Sequence, residues 1–133
     1  PDELAAADVA DFVDAKYVCV FTESGDSARR MSRLRFRIPM KAFTPNEAIR
    51  RRMALLWGIE SFTVDRVTHT DEMYRQVDET LLELGLAEIG HKVVVISGSP
   101  PGIAGSTNDL RVHTIGDAIN AAAPAWQSAQ KPK

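Results

Sequence analysis

Val18-Cys19-Val20-Phe21-Thr22-Glu23-Ser24-Gly25-Asp26-Ser27-Ala28-Arg29-Arg30-Met31-Ser32 reads as a strand, a sharp polar turn and a helix. The run 17–21 is unbroken and apolar, with β-branched and aromatic side chains, as in a strand covered on both faces. Ala28, Met31, Leu34 and Ile38 then recur at helical steps of three and four. Between them stand Thr22, Ser24, Gly25 and Ser27. Their hydroxyls, with the N–H groups that open the helix, suit an anion, and a glycine lets backbone approach closely. The same residue types also cap helices for stability alone. Spacing therefore leaves two readings open, a capping turn and an anion site.

Working outward, 133 residues make one domain with room for a real core. Hydrophobic content of 44% and charge of 26% fit a globular protein in water. A net charge of −2 supplies no general pull toward nucleic acid or anionic membrane. The one cysteine, Cys19, has no partner for an internal disulfide and sits in the first strand, which points to a buried thiol in a reducing compartment. No signal peptide is legible, and no apolar run approaches the roughly 20 residues of a membrane span. The expectation is a cytoplasmic protein without membrane contact. The opening at Pro1, without methionine, suggests a piece of something longer.

In chain order, 3–15 is expected to be a helix lying across the sheet through Leu4, Ala7, Phe12 and Val13. Strand 1 is 17–21, followed by a helix to about residue 35 and strand 2 at 38–43. Thr44-Pro45-Asn46-Glu47 reads as a helix start, with Thr44 at the cap, Pro45 at the first helical position and Glu47 at the third. That helix should run to Leu56 or Trp57 and stop at Gly58. Strand 3 is 59–64, and a helix from Thr70 or Asp71 presents Met73, Val77, Leu81, Leu82 and Leu84 on one side. Strand 4 is 92–97, a long loop covers 98–108, and strand 5 is 110–115. The remainder is rich in alanine with Pro124 and Pro132, which predicts a domain over 1–116 and a flexible tail over 117–133 with one helical turn near 118–123.

Parallel strands need crossover helices, so strands 1 to 4 are expected to be parallel, and strand 5, reached through a loop, antiparallel. The fold class is α/β, a three-layer α/β/α sandwich on a mixed five-stranded sheet. The loops after strands 1 and 4 then meet where the winding reverses, the place where open α/β sheets bind ligands.

Five blocks in one register carry a resemblance. They are Phe21 to Ser32, Ala42-Phe43-Thr44-Pro45-Asn46-Glu47, Leu55-Leu56-Trp57-Gly58-Ile59, Val93 to Gly102, and Gly105-Ser106-Thr107-Asn108 followed by Arg111-Val112-His113. Over about 3–116 the chain resembles the C-terminal domain of pyruvate kinase. The resemblance implies the strand order 3-2-1-4-5 with strand 5 antiparallel. It implies a regulatory and architectural role, with a catalytic barrel as partner. That barrel and its lid would hold magnesium, potassium, phosphoenolpyruvate and ADP, so no cofactor and no catalytic residue is assigned here.

The resemblance also implies an effector pocket for a sugar phosphate. Thr22, Glu23, Ser24, Gly25, Asp26 and Ser27 would hold the phosphate, and Gly102, Gly105, Ser106 and Thr107 would close over it. Glu23 and Asp26 depart from the strongest bisphosphate binders, and each carboxylate opposes a nearby phosphate by roughly 1 kcal/mol or more. Interaction with the positive helix start is their other role. A monophosphorylated sugar, a nucleotide such as AMP, or no effector at all is therefore favoured over fructose 1,6-bisphosphate. Family members assemble along strand 5, which marks Leu110, Arg111, Val112, His113, Thr114 and Ile115 as a homo-oligomer edge. An independent small-molecule-binding protein of the same fold is the alternative.

The arginine-rich stretch from Arg29 to Arg37 and the triplet Arg50-Arg51-Arg52 interleave with a single aromatic, Phe36, which argues against a nucleic-acid face. Pairing with acids of the first and fourth helices is expected, and Arg66 or Arg75 is placed to reach the crevice. His69, His91 and His113 are scattered, without ligand spacing, and read as surface or edge residues. Trp57 reads as core.

Overall fold

The computed structural model describes residues 2–35, 37–98 and 108–121. The elements are α1 (Asp2–Val13), β1 (Tyr17–Phe21), α2 (Asp26–Leu34), β2 (Met40–Thr44), α3 (Glu47–Met53), β3 (Ile59–Thr63), α4 (Thr70–Glu83), β4 (Lys92–Gly98), β5 (Asn108–Thr114) and α5 (Asp117–Ala121). The sheet order is β3-β2-β1-β4-β5. β1 runs parallel to β2 and β4, β2 parallel to β3, and β5 antiparallel to β4. The fold is therefore the expected α/β sandwich with a mixed sheet.

Alternation along the central strands sends successive side chains to opposite layers. Val18, Val20, Met40, Val94 and Ile96 meet Ala6 and Ala10 of α1 and Met31 of α2. Cys19, Phe43, Val93 and Val95 meet Met73, Val77 and Leu81 of α4. α2 and α3 share a small cluster of Ala28, Ala42 and Met53 on the α1 side. Winding thus reverses between β1 and β4, whose carboxyl ends lie side by side with Val20 opposite Ile96. That reversal positions the candidate site.

Several expectations need correction. α1 buries Ala6 and Ala10, while Phe12 is 90% exposed, because alanines let the helix settle close on the strands. Thr44 ends β2, paired with Thr63, and its hydroxyl accepts from the N–H of Asn46 at 3.2 Å rather than from a helical N–H. Asn46 is the cap, accepting from the N–H groups of Ala48 and Ile49, and α3 ends at Met53. Strand 2 starts at Met40, since Pro39 precedes it without an N–H to give. Ile115 leaves the β5 ladder and is fully buried in the α4-side core. Trp57 is half-exposed, with the Arg35 guanidinium 5.0 Å over its ring. The helical turn expected in the tail falls at Asp117–Ala121, where Ala118 packs on the core. Among the described residues, no helix is long and apolar enough to cross a membrane.

Candidate phosphate-binding crevice

The crevice begins where β1 ends. The Thr22 N–H donates to the Phe43 carbonyl at 3.0 Å, carrying the ladder one residue past the strand. The chain then turns through Gly25, at φ 85°, in the left-handed region. A Cβ there would sit 3.3 Å from Cγ2 of Ile49, so both the dihedral and the contact with α3 select glycine. The turn is stitched by its own hydroxyls. Gly25 N–H donates to Oγ1 of Thr22 at 2.8 Å, and Asp26 N–H to Oγ of Ser24 at 3.2 Å. Two of the three candidate hydroxyls are therefore engaged within the turn itself. The next two N–H groups of α2, those of Ser27 and Ala28, meet no acceptor among the described residues. The Ser27 hydroxyl beside them accepts from Nη2 of Arg30 at 3.3 Å.

Both carboxylates of the loop are paired. Nη1 of Arg66, from the segment after β3, lies 2.6 Å from Oε2 of Glu23. Nη1 of Arg29 lies 2.7 Å from Oδ1 of Asp26. The Arg29 and Ser24 hydrogen bonds hold the Asp26 carboxyl below the ordinary carboxylate range. On the α4 side of the sheet, Phe21, Phe43 and Phe62 stand in register across three strands. Their ring centroids are 4.9 and 5.5 Å apart, a row not legible in the sequence because its members are scattered along the chain.

Beyond Arg66 opens a polar groove of about 540 Å³, lined by Pro45, Thr63, Asp65, Gln76, Glu79 and Glu83 among others. Nε2 of Gln76 donates to the Asp65 carbonyl at 2.8 Å, while its Oε1 is buried and meets no partner among the described residues. The acids of this groove set it apart from the hydroxyl-lined turn.

Gly102, Gly105, Ser106 and Thr107 lie outside the described residues. On the proposed edge, Arg111 and Val112 are exposed, whereas Leu110, His113 and Thr114 are half-buried. His113 lies on the edge strand β5, as one of its two readings had it, but its ring turns inward and is not a surface group. Its Nε2 lies 2.8 Å from Oδ1 of the fully buried Asp78. Asp78 carried no signal in the sequence beyond being an acid on a helix face otherwise apolar. Arg37 pairs with Asp11 of α1, as expected for the basic stretch. No group of three His, Cys, Asp or Glu side chains gathers as a metal site among the described residues.

Residues 4–113 match the profile of the family described as pyruvate kinase, alpha/beta domain. Among curated relatives, pyruvate kinase of Corynebacterium glutamicum is 44% identical over 113 residues, 85% of this chain and 24% of that protein. Pyruvate kinase of Mycobacterium tuberculosis is 46% identical over the same length, with the same shares. The chain thus spans about a quarter of the length of these relatives. Among solved structures, Cryptosporidium parvum pyruvate kinase in complex with ADP superposes with a TM-score of 0.75 at 22% identity, covering 85% of this chain and 23% of that one.

Proposed function

Since the chain belongs to the pyruvate kinase alpha/beta domain family, we propose that it is the regulatory and assembly part of a pyruvate kinase, binding a phosphorylated small molecule at the β1–α2 turn. Transfer of phosphate between phosphoenolpyruvate and ADP, with its magnesium and potassium, then belongs to the portion of such enzymes that this chain does not match. One observation carries the binding reading. The N–H groups of Ser27 and Ala28 have no acceptor among the described residues and open the helix that follows β1, the strand beside β4 at the reversal of winding, and a helix start of this kind attracts anions.

The charge balance narrows the ligand. Arg66 and Arg29 are already engaged by Glu23 and Asp26, so the crevice offers donors and dipole more than spare positive charge. A monophosphate such as glucose 6-phosphate or AMP fits that supply better than a bisphosphate. Titration of these two and of fructose 1,6-bisphosphate, followed by amide NMR, tests the reading. The amides of 23–28 should move first, and Ser27→Glu should abolish the shifts by like-charge repulsion. Absence of any shift at millimolar ligand would reduce the turn to a cap.

The assembly role rests on β5. It is an edge strand with the side chains of Arg111 and Val112 exposed. Edges pair with other edges, and antiparallel pairing of two copies is self-complementary. Sedimentation across a concentration range should show a dimer, weakened by Val112→Lys. A chain that stays monomeric at hundreds of micromolar would assign assembly to other parts of the enzyme.

A further inference from the structure

Glu23 and Arg66 face each other from two irregular segments, the turn after β1 and the stretch between β3 and α4. Nη1 of Arg66 donates to Oε2 of Glu23 at 2.6 Å, across 43 positions of the chain. That single contact is all that engages Arg66 among the described residues. Its side chain is 57% exposed and that of Glu23 24%. The backbone around Arg66 is anchored. The Val64 N–H donates to the Thr44 carbonyl at 3.0 Å, the Asp65 carbonyl accepts from Gln76 at 2.8 Å, and Val67 packs on the α4-side core. The guanidinium is therefore free to swing while its base stays in place.

The other carboxylate of the turn is held differently. Asp26 and Arg29 lie one turn apart on α2, so the helix itself keeps that pair together. Glu23 and Arg66 have no such tether. Exposed pairs of this kind are weak, because each charge keeps much of its water and two long side chains give up freedom. A phosphate offers a guanidinium more than a carboxylate does, with more charge and more oxygens for a planar fork of donors. The 2.8 Å bond from the Gly25 N–H to Thr22 closes the turn, and it brings Glu23 next to the start of α2. An anion at the Ser27 and Ala28 N–H groups is thus a neighbour of Glu23 along the turn and, through it, of Arg66.

Resting on the anion-binding reading above, we propose that Glu23 is an internal competitor for Arg66, holding its guanidinium until a phosphate binds at the β1–α2 turn and takes it over. Arg66 is then a ligand-binding residue masked by the protein's own carboxylate, and Glu23 sets the threshold that a ligand must pass. A phosphate passes it. A ligand whose only anion is a carboxylate offers Arg66 no more than Glu23 does, and fails. The engagement of Arg66 by Glu23 therefore limits which anions bind without removing the cation from the site.

A double-mutant cycle on the 133-residue chain tests the exchange. Inorganic phosphate and glucose 6-phosphate are titrated against the parent, Glu23→Gln, Arg66→Gln and the double variant, with the amides of 23–28 as the readout. Glu23→Gln should tighten both ligands about tenfold, by freeing Arg66 and removing a like charge. Arg66→Gln should weaken binding about tenfold in the Glu23→Gln background but no more than about threefold in the parent, where Glu23 already competes for it. Equal losses in the two backgrounds, or no loss in either, overturn the competition. A measurement without substitutions guards against misfolded variants. In the parent, the Arg66 Nε signal should move with the amides of 23–28 as phosphate is added and stay in place with acetate. A signal that ignores phosphate, or that moves equally with acetate, overturns the exchange. Phosphate binding with an additive cycle removes the exchange alone, whereas no binding to any of the four proteins removes the anion-binding reading with it.

Discussion

Two polar clusters in this chain solve opposite problems. The β1–α2 turn sits at the surface, and its groups satisfy one another over two or three residues, Thr22 with Gly25 and Ser24 with Asp26. The Asp78 cluster lies inside the protein, and its partners come from β5 and α5. At the turn, water can replace any lost partner, so its geometry is held mainly by backbone conformation. Inside, nothing replaces a lost partner, so geometry and stability depend on the same few bonds. Burial alone would raise the Asp78 carboxyl. His113 and the N–H groups of Gly116 and Ile119 outweigh it and hold the carboxyl below the ordinary range.

The largest effect should come from breaking the inner cluster. Asp78→Ala strands the His113 donor and two N–H groups of α5, at a cost of about 3 kcal/mol or more in urea unfolding. The pH dependence has a definite sign. A carboxyl whose folded value is lowered stabilises the protein above the ordinary carboxylate range, and the contribution is lost as pH falls through the lowered value. Asp78→Ala should therefore flatten part of the acid limb of the stability profile as well as lower its plateau. A variant as stable as the parent would show the cluster to be incidental.

The turn is probed next by Gly25→Ala. The positive φ and the 3.3 Å approach to Ile49 predict a loss of about 1–2 kcal/mol, read from the same unfolding curves. A smaller loss would mean that α3 shifts to admit the methyl. Asn46→Ala removes the cap of α3 and should cost about 1 kcal/mol. Thr44→Val, by contrast, leaves the cap itself in place and removes only the hydroxyl that accepts from the Asn46 N–H, so it should cost α3 less. The smallest change is expected at Glu47, bonded by Arg50 and Thr63, which pull its carboxyl down to about 2. Its contribution is present above the ordinary carboxylate range and fades as pH falls toward about 2. Because the group is exposed, Glu47→Gln should leave the urea midpoint near neutral pH unchanged within error.

These residues also mark what could be read before the fold was known. The β1–α2 turn was legible because its determinants, Gly25 and the hydroxyls around it, are neighbours in the chain. What was not legible there was how the hydroxyls divide, Thr22 and Ser24 engaged within the turn and the next two N–H groups without an acceptor among the described residues, since that depends on turn geometry. Asn46 lost the cap to Thr44 on paper because both are good caps, and only pairing with β3 draws Thr44 into the strand. Phe12 and Trp57 were misplaced because size and hydrophobicity do not reveal which side of a helix end meets the sheet.

By itself, the amino-acid sequence determined the succession of strands and helices along the chain, through apolar runs, helical spacing and glycine-marked turns, and with them the sandwich, while the adjacency of β1 and β4 was an implication of the family resemblance. The succession and the sandwich follow from local sterics and from the need to bury each apolar face. Tertiary structure alone decided that Asp78 meets His113 and α5, that Arg66 neutralises Glu23, and that Phe21, Phe43 and Phe62 align. Those contacts join residues dozens of positions apart, and their pairing exists only once sheet register and helix docking have brought them within bonding distance.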